Sequence, residues 1–404
     1  MLREYHDVIT RVLSKKERTL STNQDALPLV IEAKNEKSRE FLFKFLDTYH
    51  SELKADIHQY GAVLIRGFDI RSDVDFESAI LKIKHFQAIE NTFMKEEGRD
   101  RVSGTQFVLH TNTIYKTGGS LKIPTFHTEN YFTTDVPHYI CFFCITPSTR
   151  GGETGMANME KIYETLNPRL KEKLEESTLF SIKWPISHIL ELYNIPVEKT
   201  DDVCDICKQF GLTITSSGKE KFVVLYKPSV LINPVTKIKS LQAHLDMVPG
   251  IYKQVGRQFI DDYKGKDWLS LRALWSVPTL SFLFTPLKLI FHDKKMVAKL
   301  KQRHVDFSQK MLKHIFTKED VAELAHGIRH YFSSYSWKSG DILLIDNTKI
   351  AHAGMPGNRS PRVIRAMICN PLKLDFSHPG AGAQTVNMST STSLGDMLSR
   401  SNAV

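Results

Sequence analysis

Apolar and polar positions recur along this chain with two different periods, and the period changes from one region to the next. Residues 38–61, SREFLFKFLDTYHSELKADIHQYG, carry apolar side chains at helical spacing and stop at Gly61, so they predict a helix. The next segment, AVLIRGF, is a short apolar run typical of a buried strand, and VDFESAILKIKHF predicts a second helix. The chain therefore begins with helices around a buried strand.

From about residue 104 to 148 the pattern becomes strand-like, in TQFVLHTNTIY, IPTFHTENYF and HYICFFCITP. These runs follow one another with only short polar breaks, which favours an antiparallel arrangement over alternating strand–helix units. A hairpin-like segment has its turn centred on Asn233 and Pro234, and strands return in SWKSGDILLIDN and PRVIRAMICNP. The pattern predicts a mainly β protein with flanking helices, of the α+β class.

Residues from about 250 to 330 are predicted to form a helical insertion within this β framework. One piece of it, Val277–Phe291, is nearly uncharged and rich in Leu and Phe. It suits a buried core element, a lid over a lipophilic substrate, or a patch that contacts a membrane or a carrier protein. We expect one domain over residues 1–380, with the β core at about 60–175, 220–245 and 335–372, and a flexible tail over residues 381–404.

Composition narrows the class of protein. With 404 residues and 41% hydrophobic side chains, the chain can bury a sizeable core. The net charge of +9 favours anionic partners, but no run of five basic residues occurs, so nucleic-acid binding is not expected. The N-terminal residues show no secretory signal, no apolar run is long enough to cross a membrane, and five cysteines is an odd number. These features predict a soluble, cytoplasmic protein with free thiols, and they leave its oligomeric state unknown.

Two distant segments carry most of the candidate chemistry, PTFHTENYF and GDILLIDNTKIAHAGMPGNRSPRVIRAM. His127 and Glu129 are two residues apart and would share one face of a strand, and the second segment adds Asn347, His352 and Arg362. Two imidazoles and one carboxylate are the ligand set of non-haem Fe(II) oxygenases, which leaves coordination positions open. His-x-Glu also occurs by chance, so the tripeptide alone does not distinguish a ligand from a hydrogen-bonded histidine.

The sequence blocks around these residues resemble one family. PTFHTEN with VPHYICFFCITPSTRGGETGMANMEKIYETL is similar to the central block of the taurine dioxygenase / clavaminate synthase-like superfamily of Fe(II)/2-oxoglutarate oxygenases. WKSGDILLIDNTKIAHAG with RSPRVIRAMI resembles its closing block, and IHQYGAVLIRGFDI resembles its N-terminal strand and helix. The blocks occur in the family's order and cover most of residues 40–175 and 325–372. The resemblance implies a distorted double-stranded β-helix (jelly roll) and an enzyme that uses Fe(II), 2-oxoglutarate and O2.

The resemblance also implies roles for individual residues. The catalytic iron ligands would be His127, Glu129 and His352, and Thr154 of GGET would help to bind 2-oxoglutarate. Arg362 is the better match to the arginine that binds the far carboxylate of 2-oxoglutarate, and Arg365 competes for that role. An offset of three on a strand puts the two arginines on opposite faces, so only one can face the site.

Substrate and reaction are less specified. A carboxylate at Glu129 argues against a halogenase, because halogenating relatives carry Gly or Ala there. Ala366 stands where some members place a second arginine, which disfavours a sulfonate or small carboxylate substrate. The resemblance implies oxidation of an unactivated C–H bond, most often hydroxylation, in an amino acid, a carrier-bound amino acid or a lipophilic metabolite of secondary metabolism. Succinate and CO2 would be released. The alternative is a protein that retains the oxygenase fold but is non-catalytic, or that docks on a membrane or carrier through Val277–Phe291.

Two Cys-x-x-Cys pairs and a scattered group of histidines are interpreted as structural. Cys141 and Cys144 would lie on opposite faces of a strand, and Cys204 and Cys207 on a helix as small buried residues, so no zinc site is expected. The remaining histidines considered lack ligand-like spacing and are expected to be structural: His110, His138, His188 and His244.

Overall fold

The structure is a computed structural model that describes most of the chain. The described residues are 2–90, 92, 100–111, 126–129, 134–176, 180–242, 250–263, 316–357, 362–374, 384–385, 387–388 and 392–401.

The described residues form seventeen strands and ten α-helices. The strands are β1 (Val8–Arg11), β2 (Leu29–Ala33), β3 (Ala62–Arg66), β4 (Leu109–His110), β5 (Pro137–Thr146), β6 (Thr154–Asn158), β7 (Phe180–Pro185), β8 (Thr213–Ser217), β9 (Glu220–Lys227), β10 (Val230–Ile232), β11 (Lys239–Leu241), β12 (Phe332–Tyr335), β13 (Ile342–Asp346), β14 (Ile350–Gly354), β15 (Val363–Lys373), β16 (Gln384–Thr385) and β17 (Asn387–Met388). The helices are α1 (Arg39–Thr48), α2 (His50–Tyr60), α3 (Asp73–Leu81), α4 (Met159–Thr165), α5 (Pro168–Glu176), α6 (Ile186–Tyr193), α7 (Thr200–Gln209), α8 (Ile251–Tyr263), α9 (Lys318–His330) and α10 (Leu394–Ser401).

The largest sheet has eight strands in the order β1-β2-β3-β13-β5-β15-β17, with β4 also paired to β15. All of its pairings are antiparallel except that of β2 with β3. Its central strands are apolar on both faces. In β13, Ile342 and Leu344 point to one side, whereas Leu343 and Ile345 point to the other. Both faces of this sheet are therefore covered by other elements.

One face packs against α1, α2 and α3 in what we call the helix-side core, which includes Leu46, Ile57, Phe76, Tyr139, Cys141, Leu344 and Met367. The other face packs against the small sheet β12-β6-β14 in what we call the intersheet core, which includes Phe142, Cys144, Met156, Tyr335, Leu343, Ile350, Ile364 and Ala366. The outer face of the small sheet is covered by α4, α8 and α9. Two sheets thus lie between two helical layers.

Two more three-stranded sheets complete the described part, β11-β10-β16 and β7-β9-β8, the latter packed against α6, α7 and α10. The predicted hairpin is confirmed, since β10 and β11 pair antiparallel with Ile232 opposite Lys239. The Asn233 side chain shapes its turn by accepting hydrogen bonds from the backbone N–H groups of Val235 and Thr236, at 2.9 and 3.0 Å.

The predicted helix over residues 38–61 is two helices, because α1 ends at Thr48 and α2 starts at His50. Gly61 ends α2 with φ +85°, and a Cβ there would lie 2.6 Å from Ile350 Cδ1. Glycine is required at this position for both its backbone conformation and its close contact with β14.

Mixed sheets with flanking helices confirm the coarse fold class. The helical prediction for residues 250–330 is met at its two ends by α8 and α9, and Val277–Phe291 lies outside the described residues. Among the described helices, none is both long and apolar enough to cross a membrane.

The end of the chain departs from the predicted flexible tail. Residues 394–401 form α10, in which Leu394 and Leu398 lie four apart and are fully buried. The Asp135 carboxylate accepts hydrogen bonds from the N–H groups of Leu394 and Gly395, at 2.9 and 3.1 Å. A buried acceptor at the helix start and one apolar face hold this segment in place.

Candidate metal centre and co-substrate site

His352 lies on β14 and faces the intersheet core. It sits opposite Met156 of β6, and its ring centroid is 5.1 Å from that of Phe142 on β5. Its neighbours Ala351 and Ala353 point the other way, toward the outer helical layer. Strand alternation in β14 therefore directs this imidazole between the two sheets.

His127 lies beside His352 through an isolated antiparallel bridge. The N–H of each residue donates to the carbonyl of the other, at 3.1 and 2.9 Å, and the two ring centroids are 4.5 Å apart. Glu129 lies in a turn, so strand alternation alone does not explain how it joins His127. The side chain of Asn347 instead holds the backbone of Glu129, whose N–H donates to Asn347 Oδ1 at 2.7 Å.

The structure brings His127, Glu129 and His352 together. Each offers a ligand atom, and these atoms all lie within 4.8 Å of one another. His352 Nε2 and Glu129 Oε2 are 3.4 Å apart, beyond the range of about 2.7–3.2 Å for an N–H···O hydrogen bond. Two ligands that each lie about 2.1 Å from one ion are about 3 Å apart, which is close to this separation. Two imidazoles and a carboxylate with this spacing fit an Fe(II) ion.

A second group of the same composition lies nearby, formed by His58, His138 and Asp346. Its carboxylate and one of its imidazoles already have hydrogen-bond partners. Asp346 Oδ2 is 2.8 Å from His58 Nδ1, and Asp346 Oδ1 accepts from the N–H and hydroxyl of Thr348 at 2.9 and 2.5 Å. His58 Nε2 lies 2.9 Å from the Tyr139 hydroxyl. This group is a polar network inside the core rather than an open ligand set.

Burial and neighbouring groups determine the protonation states of His138 and Asp346 in this second group. Burial lowers the pKa of His138 to about 4, so its imidazole is neutral at pH 7. Burial acts to raise the pKa of Asp346, but the neighbouring His138 and His58 and the hydrogen bonds outweigh it and hold that pKa well below its usual range. Asp346 is therefore an ionised carboxylate that anchors the end of β13.

Thr154 lies on β6 and is buried next to the candidate metal centre. It pairs with Gly354, two residues after His352, and with Tyr335 on β12. Its Oγ1 accepts a hydrogen bond from Trp337 Nε1 at 3.1 Å. Because the indole uses one lone pair of this oxygen, the hydroxyl hydrogen of Thr154 is left to donate to another group.

Arg362 points toward the intersheet core. Burial lowers the pKa of its guanidinium, against the opposing electrostatic influence of Cys144, Tyr335 and Glu153, the first two of which belong to that core. Its Nε is buried and has no hydrogen-bond partner within the part of the chain that the structure describes. A half-buried arginine with a buried, unused Nε donor suits an anionic ligand, because a buried donor without a partner is costly.

Two glycines make room beside Arg362. A Cβ at Gly152, whose φ is +71°, would collide with Ser148 Oγ and lie 3.2 Å from Arg362 Cδ. A Cβ at Gly357 would lie 2.7 Å from the Gly152 nitrogen. Gly152 and Gly357 therefore let two chain segments approach each other closely beside the arginine.

Arg365 lies on β15 and faces the helix side of the large sheet. Arg362 directly precedes β15, and the register of β15 shifts between Val363 and Ile364, so the predicted alternation is interrupted between the two arginines. Arg365 Nε donates to Asp73 Oδ1 on α3 at 2.9 Å. Its neighbour two positions on, Met367, belongs to the helix-side core. Of the two candidate arginines, only Arg362 reaches the side of the sheet that carries His352.

The predicted placement of the cysteines is confirmed. All five are free and buried, and Cys141 and Cys144 lie in different cores on opposite faces of β5. His138 is structural in the network above, and His244 lies outside the described residues.

Asn347 and Trp337 contact the candidate site, and residue type alone assigns neither of them a role there. Both lie in the closing block that carries His352, but an amide and an indole are not the ligand types expected for iron. Their partners, Glu129 and Thr154, are far away in sequence, so only the fold reveals these contacts.

Comparison with known proteins adds an independent finding. Residues 35–214 match the family model described as taurine catabolism dioxygenase TauD, TfdA family. This match spans 180 of the 404 residues, which is less than half of the chain. This match includes His127, Glu129 and Thr154 but ends before His352 and Arg362.

Among solved structures, the chain is similar to PvcB, an Fe, alpha-ketoglutarate dependent oxygenase from an isonitrile synthetic pathway, at 12% identity over 91% of this chain and 94% of that one, with a TM-score of 0.47. It is also similar to a taurine dioxygenase from Burkholderia xenovorans, at 11% identity over 97% and 99% of the two chains, with a TM-score of 0.46. The structure of AAD-2 in complex with Mn(II) and N-oxalylglycine matches at 13% identity over 92% and 99%, with a TM-score of 0.40. Comparison with curated proteins finds no match. These structural similarities are weak, and the sequence match over residues 35–214 is the stronger finding.

Proposed function

We propose that the chain is a non-haem Fe(II)/2-oxoglutarate-dependent dioxygenase with O2 as co-substrate, and that His127, Glu129 and His352 hold its Fe(II) ion. The observation that carries the proposal is the cluster itself, in which three ligand atoms of the required types lie within 4.8 Å of one another. When bound, iron together with 2-oxoglutarate and O2 supplies the oxidising power needed to attack an unactivated C–H bond.

Arg362 and Thr154 are proposed to bind 2-oxoglutarate. The guanidinium of Arg362 meets the far carboxylate, because a planar pair of N–H donors matches two carboxylate oxygens. Thr154 donates its hydroxyl hydrogen, with its oxygen held by Trp337. Arg365 is not assigned this role, because its guanidinium is paired with Asp73 on the other side of β15.

The architecture supports a double-stranded β-helix, or jelly roll, as the finer description of the fold. Two sheets enclose the intersheet core. His352 comes from β14, His127 from a bridge to it, Glu129 from the turn that follows His127, and Arg362 from the residue before β15. We further propose that residues 1–380 form one oxygenase domain and that residues of about 250–330 are a helical insertion between the two ligand segments.

We propose that the substrate carbon facing the iron belongs to an uncharged, apolar part of the substrate. The intersheet core that His352 faces includes Phe142, Ile364 and Ala366, all buried. Ala366 offers no cation for a second anionic group. We propose an amino acid, a carrier-bound amino acid or a lipophilic metabolite as the substrate, and hydroxylation as the reaction. The net charge of +9 favours an acidic carrier, and Val277–Phe291 is the candidate lid or docking segment.

Succinate release tests this proposal. The Fe(II)-loaded protein is incubated with 2-oxoglutarate, O2 and one candidate substrate at a time. The candidates are free amino acids, carrier-bound aminoacyl thioesters and fatty acids. We expect at least one class to raise succinate release above the substrate-free rate, and H352A to abolish it. If no class does so and the wild type releases no succinate above H352A, the chain is a non-catalytic relative and the proposal is wrong.

A further inference from the structure

The side chain of Asn347 holds the backbone of Glu129 on both sides. Asn347 Oδ1 accepts from the Glu129 N–H at 2.7 Å, and Asn347 Nδ2 donates to the Glu129 carbonyl at 3.3 Å. The same Nδ2 also donates to the carbonyl of Pro137 at 2.9 Å. The amide is fully buried, and it reproduces with one side chain the paired hydrogen bonds of an antiparallel strand.

Asn347 is itself fixed on a rigid support. Its N–H donates to the His138 carbonyl at 2.8 Å. The preceding residue, Asp346, ends β13 and is anchored by His58, Thr348 and Asn233. Because both the backbone and the side chain of Asn347 are held, the position of its amide is set by the sheet rather than by Glu129.

The segment that contains Asn347 and His352 holds both His127 and Glu129. His127 is hydrogen-bonded to the backbone of His352, and Glu129 to the side chain of Asn347. Asn347 lies in the turn between β13 and β14, and His352 follows five residues later on β14. The element that carries His352 therefore also sets the positions of His127 and Glu129.

We propose that Asn347 is a positioning residue that fixes the Glu129 carboxylate relative to His352 for metal binding. This inference rests on the ligand set given under the proposed function. Asparagine is suited to the role because its amide both donates and accepts. Aspartate keeps the shape but loses the donor, and alanine loses both groups. Partners that orient ligands typically change metal affinity about 10- to 100-fold when removed.

The test compares N347A, N347D and E129A with a matched control, N370A. The Asn370 amide on β15 also holds backbone on both sides, accepting from the Gln87 N–H at 3.1 Å and donating to the His85 carbonyl at 2.8 Å, but it has no hydrogen bond to Glu129 or Asn347 among the described residues. Fe(II) affinity is measured anaerobically on the purified apoprotein, and the near-infrared circular dichroism of the Fe(II)-loaded protein reports ligand geometry. Thermal unfolding of each apoprotein gives the loss of stability separately.

We expect N347A to weaken Fe(II) binding about 10- to 100-fold and to alter the dichroism. N347D should do the same to a smaller extent, and it carries the test if N347A does not fold. N370A should lose stability while its Fe(II) affinity and spectrum stay like those of the wild type. The inference is overturned if the folded Asn347 variants keep wild-type affinity and spectrum while E129A loses Fe(II). If E129A also keeps wild-type affinity, the proposed ligand set itself is wrong.

Discussion

Arg362 and Arg365 are three residues apart, and their identical side chains lie on opposite sides of the large sheet. Burial and an unused Nε leave Arg362 available to an anion on the intersheet side, whereas Arg365 is bound to Asp73 on the helix side. Arg362 directly precedes β15, and the register of β15 shifts between Val363 and Ile364, so strand alternation alone does not explain the difference. At this scale, function depends on which side of the sheet a side chain faces.

Substituting each arginine separates binding from structure. R362A should weaken 2-oxoglutarate binding to the anaerobic Fe(II) protein about 10- to 100-fold, because a hydrogen bond to a charged group contributes about 1.5–3 kcal/mol. R365A should leave 2-oxoglutarate affinity unchanged and cost about 1 kcal/mol or less in stability, the value of a partly exposed ion pair. Titration followed by absorbance measures the affinity. The reverse order of effects would assign the role to Arg365.

At the scale of elements, the GGET segment at the start of β6 places Thr154 and makes room for Arg362. Gly152 matters here for two separable reasons, its positive φ and the lack of space for a Cβ. Gly218, in the turn between β8 and β9, shares the first property with φ +62°, but a Cβ there would meet nothing within 4 Å. Gly218 is therefore a control for the conformational effect alone.

G152A and G218A should each lose about 1–2 kcal/mol of stability, because both place alanine in the left-handed region. Only G152A should also weaken 2-oxoglutarate binding, by about tenfold or more, since its Cβ displaces Ser148 or Arg362. Urea unfolding and 2-oxoglutarate titration measure the two effects. Equal 2-oxoglutarate affinity in both variants would mean that Gly152 does not shape the site.

At the scale of the whole molecule, the buried network of His58, His138 and Asp346 ties α2 to β5 and β13 and makes stability depend on pH. The pKa of His138 is about 4 in the folded protein and about 6.5 when unfolded. The unfolded chain therefore binds more protons between these values, and the free energy of unfolding falls as pH falls from about 6.5 to 4. Integrated over that window, the loss is about 3 kcal/mol.

H138N should flatten this dependence, because asparagine does not titrate. Urea midpoints of the chelator-treated apoprotein between pH 7 and 4.5 measure it, with metal removed so that ligand protonation does not contribute. Parallel slopes for wild type and H138N would show that His138 does not control the stability change.

Much of the fold could be predicted because strands and helices depend on local pattern. The buried strand after Gly61, the hairpin at Asn233 and the opposite faces of Cys141 and Cys144 all follow from periodicity and turn chemistry. The break at Tyr49 and the helix α10 could not be predicted, since they depend on packing against distant elements. The same holds for the hydrogen bonds between Asn347 and Glu129, which join residues 218 positions apart.

The candidate site could likewise be predicted only in part from the sequence. Residue types and the family resemblance predicted which side chains to consider, and the structure brings His127, Glu129 and His352 together. Local pattern could not separate this cluster from the group of His58, His138 and Asp346, because both contain two histidines and one carboxylate. The hydrogen bonds of Asp346 with His58 and Thr348 are a property of the fold, and the sequence does not show them.

The most direct measurement is anaerobic addition of Fe(II) and then 2-oxoglutarate to the apoprotein, followed by absorbance in the visible range. The wild type and H138N should develop the weak charge-transfer band of a chelated keto-acid with one iron per chain, and H352A and E129A should not. A band that persists in H352A, or one that is lost in H138N but not in H352A, would contradict the assignment of the iron to His127, Glu129 and His352.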